Sequence, residues 1–206
     1  MTGLMLKDLL YLKRMGKVLA ALLIFYAVFM SNSNRSSVDT MLSGVTIMLT
    51  MVLCSSAFSY DEAAKWRLYE LSFPVSKKQI VLARYLFSAG LVTVLTLLSC
   101  LLKWIIFRDI TADNVAVLSV SWGVSLLLCS ILFPLFYRYG MQKARLILLL
   151  LLLIPSFGIA LFQPISIPAP SESSLLLLIR LFPVAAALVF FASYWISCHF
   201  YASKDN

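Results

Sequence analysis

Charge is what this chain of 206 residues has least of: only 13% of its residues are Asp, Glu, Lys or Arg, with nine acids and one histidine. A water-soluble domain carries about a quarter charged residues and roughly half apolar ones. Here 62% are apolar and the mean hydropathy is +0.95, so the chain reads as a polytopic, all-α membrane protein. That leaves no room for a soluble domain of ordinary size among these residues. Acids are missing from the centres of the apolar runs; Asp39, Asp109, Asp113 and Glu172 stand at their ends. This argues against a proton or sodium relay, which needs carboxylates or histidines at membrane depth. It argues equally against an intramembrane transferase or protease, because no Asp/His/Glu cluster and no Ser–His pair is offered.

Other shortages narrow the reading further. Cys54, Cys100, Cys129 and Cys198 all lie inside apolar runs without metal-ligand spacing, so they are expected as small packing residues, with no metal site. His199, close to Lys204, is expected at the surface. There is no strand alternation and no internal repeat. The net charge of +8 does not point to nucleic acid, because the basic residues cluster at the ends of apolar runs, where topology signals lie.

Reading for about twenty apolar residues per crossing gives six spans, near 16–30, 38–58, 79–107, 115–137, 146–162 and 174–201, in one transmembrane domain over 1–206. The first is short, so its helix is expected to begin near Met15, with Lys17 snorkelling to the interface. A basic start before an apolar run also suits a signal peptide. The long amphipathic stretch ahead of it and the lack of a small-x-small site favour a retained span. Lys7, Lys13, Arg14, Lys17, Lys65, Arg67, Lys77, Lys78, Arg84, Arg138, Lys143, Arg145 and Lys204 fall on one side of such a topology. Only Arg35, Lys103, Arg108 and Arg180 fall on the other. The excess of Lys and Arg on the first side places it, with both termini, in the cytoplasm. Pro155 and Pro183 are expected to kink the fifth and sixth spans. Pro164, Pro168 and Pro170 bar a regular helix from the outer loop 163–173, which suits a hairpin or a re-entrant turn.

Two elements outside the spans carry pattern. Residues 4–14 project as an amphipathic helix, with Lys7 and Arg14 on one face and Met5, Leu9 and Leu12 on the other. It is expected in the inner headgroup layer, touching lipid; a plain extension of the first span is the competing reading. The charged island at 60–84 projects with Ala64, Leu68 and Leu71 on one side and Trp66, Tyr69 and Phe73 on the other. Asp61 and Lys65 hold one flank, Arg67 and Glu70 the other. Two apolar faces suit burial against the bundle and against a partner, whereas an interfacial helix needs only one. Pro74 ends this helix, and Ser76 with Gln79 has capping-box spacing for the next.

Lys103 and Arg180 lie inside spans. Each either snorkels to the outer headgroups or faces an outward cavity, where it would attract anionic cargo.

The segment Asp61-Glu62-x-x-Lys65-Trp66-Arg67-Leu68-Tyr69-x-Leu71-Ser72-Phe73-Pro74-Val75-Ser76-Lys77-Lys78-Gln79-Ile80-Val81-x-x-Arg84-Tyr85 resembles small permeases of the ABC-2 transporter family, with Phe73 where leucine is common. The opening from Gly3 to Leu9 is similar to that family's start. The resemblance implies that two permease chains pair, alike or different, in a bacterial cytoplasmic membrane. Each would dock a separate ABC ATPase subunit through a coupling helix at 60–73, involving Asp61, Glu62, Lys65, Trp66, Arg67, Tyr69, Glu70 and Phe73. Residues 4–14, with Lys7, Asp8, Tyr11 and Arg14, would be the connecting helix. No Gly-x-x-x-x-Gly-Lys-Ser/Thr loop is present, so ATP and Mg belong to the partner and this chain is not itself an enzyme. The Phe-, Leu- and Ile-rich spans with almost no polar lining suit export of a hydrophobic or amphipathic peptide; lipid-like drugs or antimicrobials come second. A non-transporting accessory or regulatory protein is the alternative from another class.

Overall fold

A computed structural model describes residues 7–10, 13, 16, 35–66, 76–108, 112–144, 146–147, 150, 153 and 172–203. Four long helices dominate them: α1 (Arg35–Ala63), α2 (Lys77–Phe107), α3 (Ala112–Tyr139) and α4 (Glu172–Ser203). No strand occurs among the described residues. Each helix holds a stretch long and apolar enough to cross a membrane: Thr40–Ala63, Lys77–Ile105, Val115–Tyr139 and Leu177–Ser203. The second, third, fourth and sixth expected spans thus sit on α1 to α4, and each helix outruns its span. Twenty-eight to thirty-two residues reach roughly 42–48 Å at 1.5 Å per residue, beyond the ~30 Å of hydrocarbon that hydropathy registers. The first and fifth expected spans lie outside the described residues, apart from isolated positions.

The sequence dictates where α2 starts. Ser76 is extended (φ −70°, ψ 144°) and its backbone N–H donates to Gln79 Oε1 at 3.2 Å, the Gln79 half of the expected capping box. At the far end Arg108 turns left-handed (φ 49°) and its N–H closes on the Trp104 carbonyl at 2.9 Å. Pro134 and Pro183 both lie inside continuous helices, α3 and α4; Pro134 had carried no expectation, and Pro155 lies outside the described residues.

Helix α3 is the centre, packing on each of the other three and most extensively on α4. Its buried Leu126, Cys129, Leu132, Phe133 and Phe136 meet Cys54 of α1, Val81, Tyr85 and Val92 of α2, and Phe190 and Tyr201 of α4. A second, smaller cluster joins Leu49 and Leu53 of α1 to Leu91 and Leu95 of α2. Gly123 sets the α3–α4 crossing: a Cβ there would stand 2.9 Å from the Phe182 ring and 3.3 Å from the Pro183 Cα. Small residues at helix crossings are what close packing in lipid selects. Outward, α4 presents Leu177, Leu181, Val184, Leu188, Phe191 and Trp195, a surface that suits lipid or another membrane protein rather than water.

Contacts along the helices fix their directions. Asp61 meets Arg84 while Thr46 meets Ser99, so α1 and α2 are antiparallel. Cys54 meets Cys129 and Glu62 meets Met141, so α1 and α3 are parallel. Gly123 meets Phe182 and Ser130 meets Ser193, so α3 and α4 are parallel as well.

One expectation is overturned inside the bundle. The interior is not almost free of polar side chains: Thr46, Thr50, Ser88, Ser99, Ser121, Ser125, Ser130, Ser193 and Ser197 are all buried. Most bond the carbonyl three or four residues back, as Thr50 does to Thr46 (2.9 Å) and Ser125 to Ser121 (2.8 Å). Such hydroxyls are satisfied within their own helix, so they barely dent a hydropathy profile.

Candidate functional site

The end of the bundle where α1 stops and α2 starts gathers the charge that the rest of the chain lacks. Helix α1 runs on through Tyr60 to Ala63, so the break expected before Tyr60 comes after Ala63 instead. The Ala64 N–H reaches the Tyr60 carbonyl (2.9 Å), the Lys65 N–H reaches that of Glu62 (3.1 Å), and Lys65 takes φ 48°. A left-handed residue after the last turn is the common way to stop a helix, although glycine usually fills it. This break also corrects the projection of 60–73 as one helix. Asp61 and Lys65 do not share a flank: Asp61 turns into the bundle and Lys65 is exposed.

Asp61 stands between two cations. Lys7 Nζ lies 2.7 Å from one of its oxygens, and the Arg84 guanidinium holds the other. Arg84 also donates to Asp8 Oδ1 at 3.3 Å, and Lys7 lies 3.8 Å from that same oxygen. The two cations and two anions therefore alternate and cancel. All four side chains are at most 16% exposed, and at such burial a charge without an opposite partner would be costly. Aromatic faces close the cluster, with Arg84 4.6 Å over Phe58 and Lys7 4.4 Å over Trp66. The cluster joins the N-terminal segment, the end of α1 and the start of α2 at one point.

Glu62 turns the other way. Its Oε2 accepts the backbone N–H of Met141 at 3.1 Å, just past Gly140, whose φ of 77° ends α3. Met141 opens the helical turn 141–144, where a carboxylate meets free N–H groups and the positive end of the turn's dipole.

Of the residues expected to couple to a partner, Asp61, Glu62, Lys65 and Trp66 are described. Glu62 and Lys65 are both exposed, and Glu62 is held by the Met141 N–H. Arg67, Tyr69, Glu70 and Phe73 lie outside the described residues. In the expected connecting helix, Lys7 and Asp8 face the bundle while Leu9 and Leu10 are exposed, the reverse of a charged face turned to water. Tyr11 and Arg14 lie outside the described residues. The two basic residues of the spans differ in their exposure. Lys103 is buried (6% exposed), one turn beyond Ser99, whose hydroxyl meets that of Thr46 at 2.7 Å. Arg180 is exposed on α4 beside Leu177 and Leu181.

Sequence reasoning missed Arg84 and Tyr85 as working residues, although both stand in the quoted motif. The signal was available, since an arginine seven residues into an apolar helix requires a buried partner. Tyr85 points to the opposite partners: its hydroxyl lies 2.8 Å from Ser193 Oγ and 2.7 Å from Ser197 Oγ. The Ser193 hydroxyl is 2.6 Å from the Ser130 carbonyl, to which it donates. Each hydroxyl has one proton, so the order is settled: Ser197 donates to Tyr85, Tyr85 to Ser193, and Ser193 to the Ser130 carbonyl.

Among the described residues no group of three or more His, Cys, Asp or Glu is placed to hold a metal ion. Cys54 and Cys129 face each other at 3.7 Å as free thiols.

A family model for ABC-2 family transporter proteins matches residues 3–202. No curated protein and no solved structure matches the chain. An all-helical, multi-pass membrane chain matched over almost its whole length, it belongs to the ABC-2 transporter family, whose members are membrane permeases of ABC transporters that work with an ABC ATPase subunit.

Proposed function

We propose that the chain is the permease subunit of an ATP-driven exporter in a bacterial cytoplasmic membrane. It would form one transmembrane domain of six spans with both termini in the cytoplasm. The course of the chain supports that count. Lys7 lies at the Asp61 end of the bundle, whereas Arg35 begins α1 at the opposite end. A crossing by 16–30, the apolar run between them, would account for that placement. The parallel run of α3 and α4 suits a return crossing between them, for which 146–162 is the apolar run available. The bias of Lys and Arg then assigns the Asp61 end to the cytoplasm.

The observation that carries the functional reading is the charge cluster of Lys7, Asp8, Asp61 and Arg84. It ties the connecting segment 4–14 to the base of the coupling segment 60–73 and to the span that follows. A push on that loop by a partner would therefore reach three elements together. ATP and Mg bind the partner ATPase, and two permease chains pair to complete the translocator. A hydrophobic or amphipathic peptide is the cargo that fits best. Many of the buried hydroxyls are engaged by main-chain carbonyls of their own helices, which suits an apolar cargo; lipid-like drugs are second.

The test is a mild-detergent pull-down from the native membrane, with mass identification of what accompanies the chain. Recovery of a Walker-type ATPase that is lost on Lys65→Glu supports docking at this loop. Recovery of no nucleotide-binding subunit with the wild-type chain sinks the permease reading in favour of an accessory role. An ATPase that stays bound to Lys65→Glu moves the docking surface away from Lys65.

A further inference from the structure

Arg84 and Tyr85 are adjacent on α2 but tied to opposite halves of the bundle. Arg84 bonds Asp8 and Asp61, in the N-terminal segment and at the loop end of α1. Tyr85 bonds Ser193 and Ser197 of α4, and through Ser193 it reaches the Ser130 carbonyl of α3. Its ring is wedged against Phe133 and Phe190 at 4.9 Å and Tyr194 at 5.6 Å. Tyr194 of α4 also reaches the Lys78 carbonyl at 3.4 Å, near the limit of a hydrogen bond.

We propose that Arg84 and Tyr85 form the transmission joint of this permease, turning displacement of the Asp61 loop into displacement of α4. The inference rests on the permease reading and adds to it the residues through which the loop's motion reaches the far helix. Arg84 follows Asp61 because each charge in the cluster is buried with its opposite, and separating them would strand both. A one-residue step along a rigid helix carries that movement to Tyr85 without loss. Tyr85 then draws α4, because its hydroxyl is held from both sides: it accepts from Ser197 and donates to Ser193. The chain of donors has a single direction and all three hydroxyls are buried, so sliding α4 against α2 breaks at least one bond inside the bundle. Coupling through such a contiguous network requires it to have discrete arrangements, and a one-way hydroxyl chain of this kind is either made or broken. Tyr85 is a positioning residue on this account; it touches neither cargo nor nucleotide.

Tyr85→Phe is the decisive variant, because it keeps the ring contacts and deletes only the hydroxyl. The native thiol of Cys198, next to Ser197 on α4, serves as the reporter. The complex of permease and co-purified ATPase is treated with N-ethylmaleimide, with and without ATP and vanadate, and modification of Cys198 is followed by mass spectrometry. In the wild-type complex the labelling rate is expected to change severalfold on trapping. In Tyr85→Phe the ratio of trapped to untrapped rates should fall to near one, while the same amount of ATPase co-purifies. A merely structural hydroxyl would lower thermal stability yet leave that ratio unchanged, which would overturn the proposal. So would a wild-type ratio of one. Should Tyr85→Phe not accumulate, Ser197→Ala removes one donor only and is judged by the same ratio. Failure to recover any ATPase defeats the permease reading itself, a different outcome from a complex that assembles but ignores Tyr85.

Discussion

Glu62 at the end of α1 and Met141 just beyond α3 are joined by a hydrogen bond from the Met141 backbone N–H to the Glu62 carboxylate, at 3.1 Å. Asp61, its neighbour, bonds the N-terminal segment and α2 instead. Two adjacent acids thus lash the end of α1 to three other parts of the chain. The acidic pair that looked in sequence like a docking surface makes contacts within the chain, while Glu62 itself stays exposed along with Ala63, Ala64 and Lys65.

The Glu62 bond predicts a graded response. Glu62→Gln keeps an acceptor for the Met141 N–H and loses only the charge, worth about 0.3–1 kcal/mol at a helix start. Glu62→Ala removes the acceptor as well, for a total of about 1–3 kcal/mol if that N–H stays unsatisfied. Thermal unfolding of the purified chain in detergent checks this. Equal midpoints for the two variants would mean that the bond contributes nothing.

The charge cluster predicts which rescue works. Breaking a buried pair from one side costs about 3–5 kcal/mol, so Arg84→Leu and Asp61→Leu should each sharply reduce the folded protein recovered from membranes. The pairwise exchange Asp61→Arg with Arg84→Asp should rescue poorly, because it sets like charges against Lys7 and Asp8. Adding Lys7→Asp and Asp8→Lys completes the inversion and should restore folding. Fluorescence-detected gel filtration of tagged variants reads all of these. Full rescue by the pairwise exchange alone would show that Lys7 and Asp8 do not belong to the cluster.

The sequence made four helices legible because each buries or exposes enough apolar length to be counted, and the Ser76–Gln79 start because its chemistry is local. The inward turn of Asp61 was not legible. A helical projection across 60–73 assumes no break, and the left-handed turn falls at a lysine rather than at the glycine that would have flagged it. Nor was the hydroxyl chain legible. Tyr85, Ser130, Ser193 and Ser197 come from three helices, and a serine bonded within its own helix looks the same in sequence as one bridging two. Residue type alone could have nominated Arg84, but its partners, 76 and 23 positions away, only folding supplies.

Gly123 offers a test of the α3–α4 crossing. Glycine to alanine in a helix normally gains about 1 kcal/mol, and Gly90→Ala should show some of that gain, because nothing lies within 4 Å of the added Cβ. At Gly123 the same methyl would press on Phe182 at 2.9 Å and on the Pro183 backbone at 3.3 Å. The ring can shift but the backbone resists, so Gly123→Ala should be destabilising despite its helix propensity, and Gly123→Val more so, within the ~1–3 kcal/mol typical of overpacking. Comparing thermal midpoints of the three variants decides it. A Gly123→Ala chain as stable as Gly90→Ala would mean that α3 and α4 lie further apart than described.

The direction of the hydroxyl chain makes its own prediction, independent of any role in transport. Ser197→Ala deletes the donor to Tyr85 but leaves Tyr85 donating to Ser193 and Ser193 donating to the Ser130 carbonyl. Interhelical hydrogen bonds within membranes average about 0.6 kcal/mol in double-mutant cycles, and one such bond is the expected loss. Ser193→Ala strands the Tyr85 proton and takes a donor from the Ser130 carbonyl, so its cost should be about twice as large. Tyr85→Phe belongs with Ser193→Ala, because it leaves the Ser193 oxygen and the Ser197 proton without partners. Combining Tyr85→Phe with Ser193→Ala should cost less than the two losses added, since both remove the same central bond. Reversed ranking of the two serines in thermal unfolding would mean that the proton order runs the other way, from Ser193 through Tyr85 to Ser197.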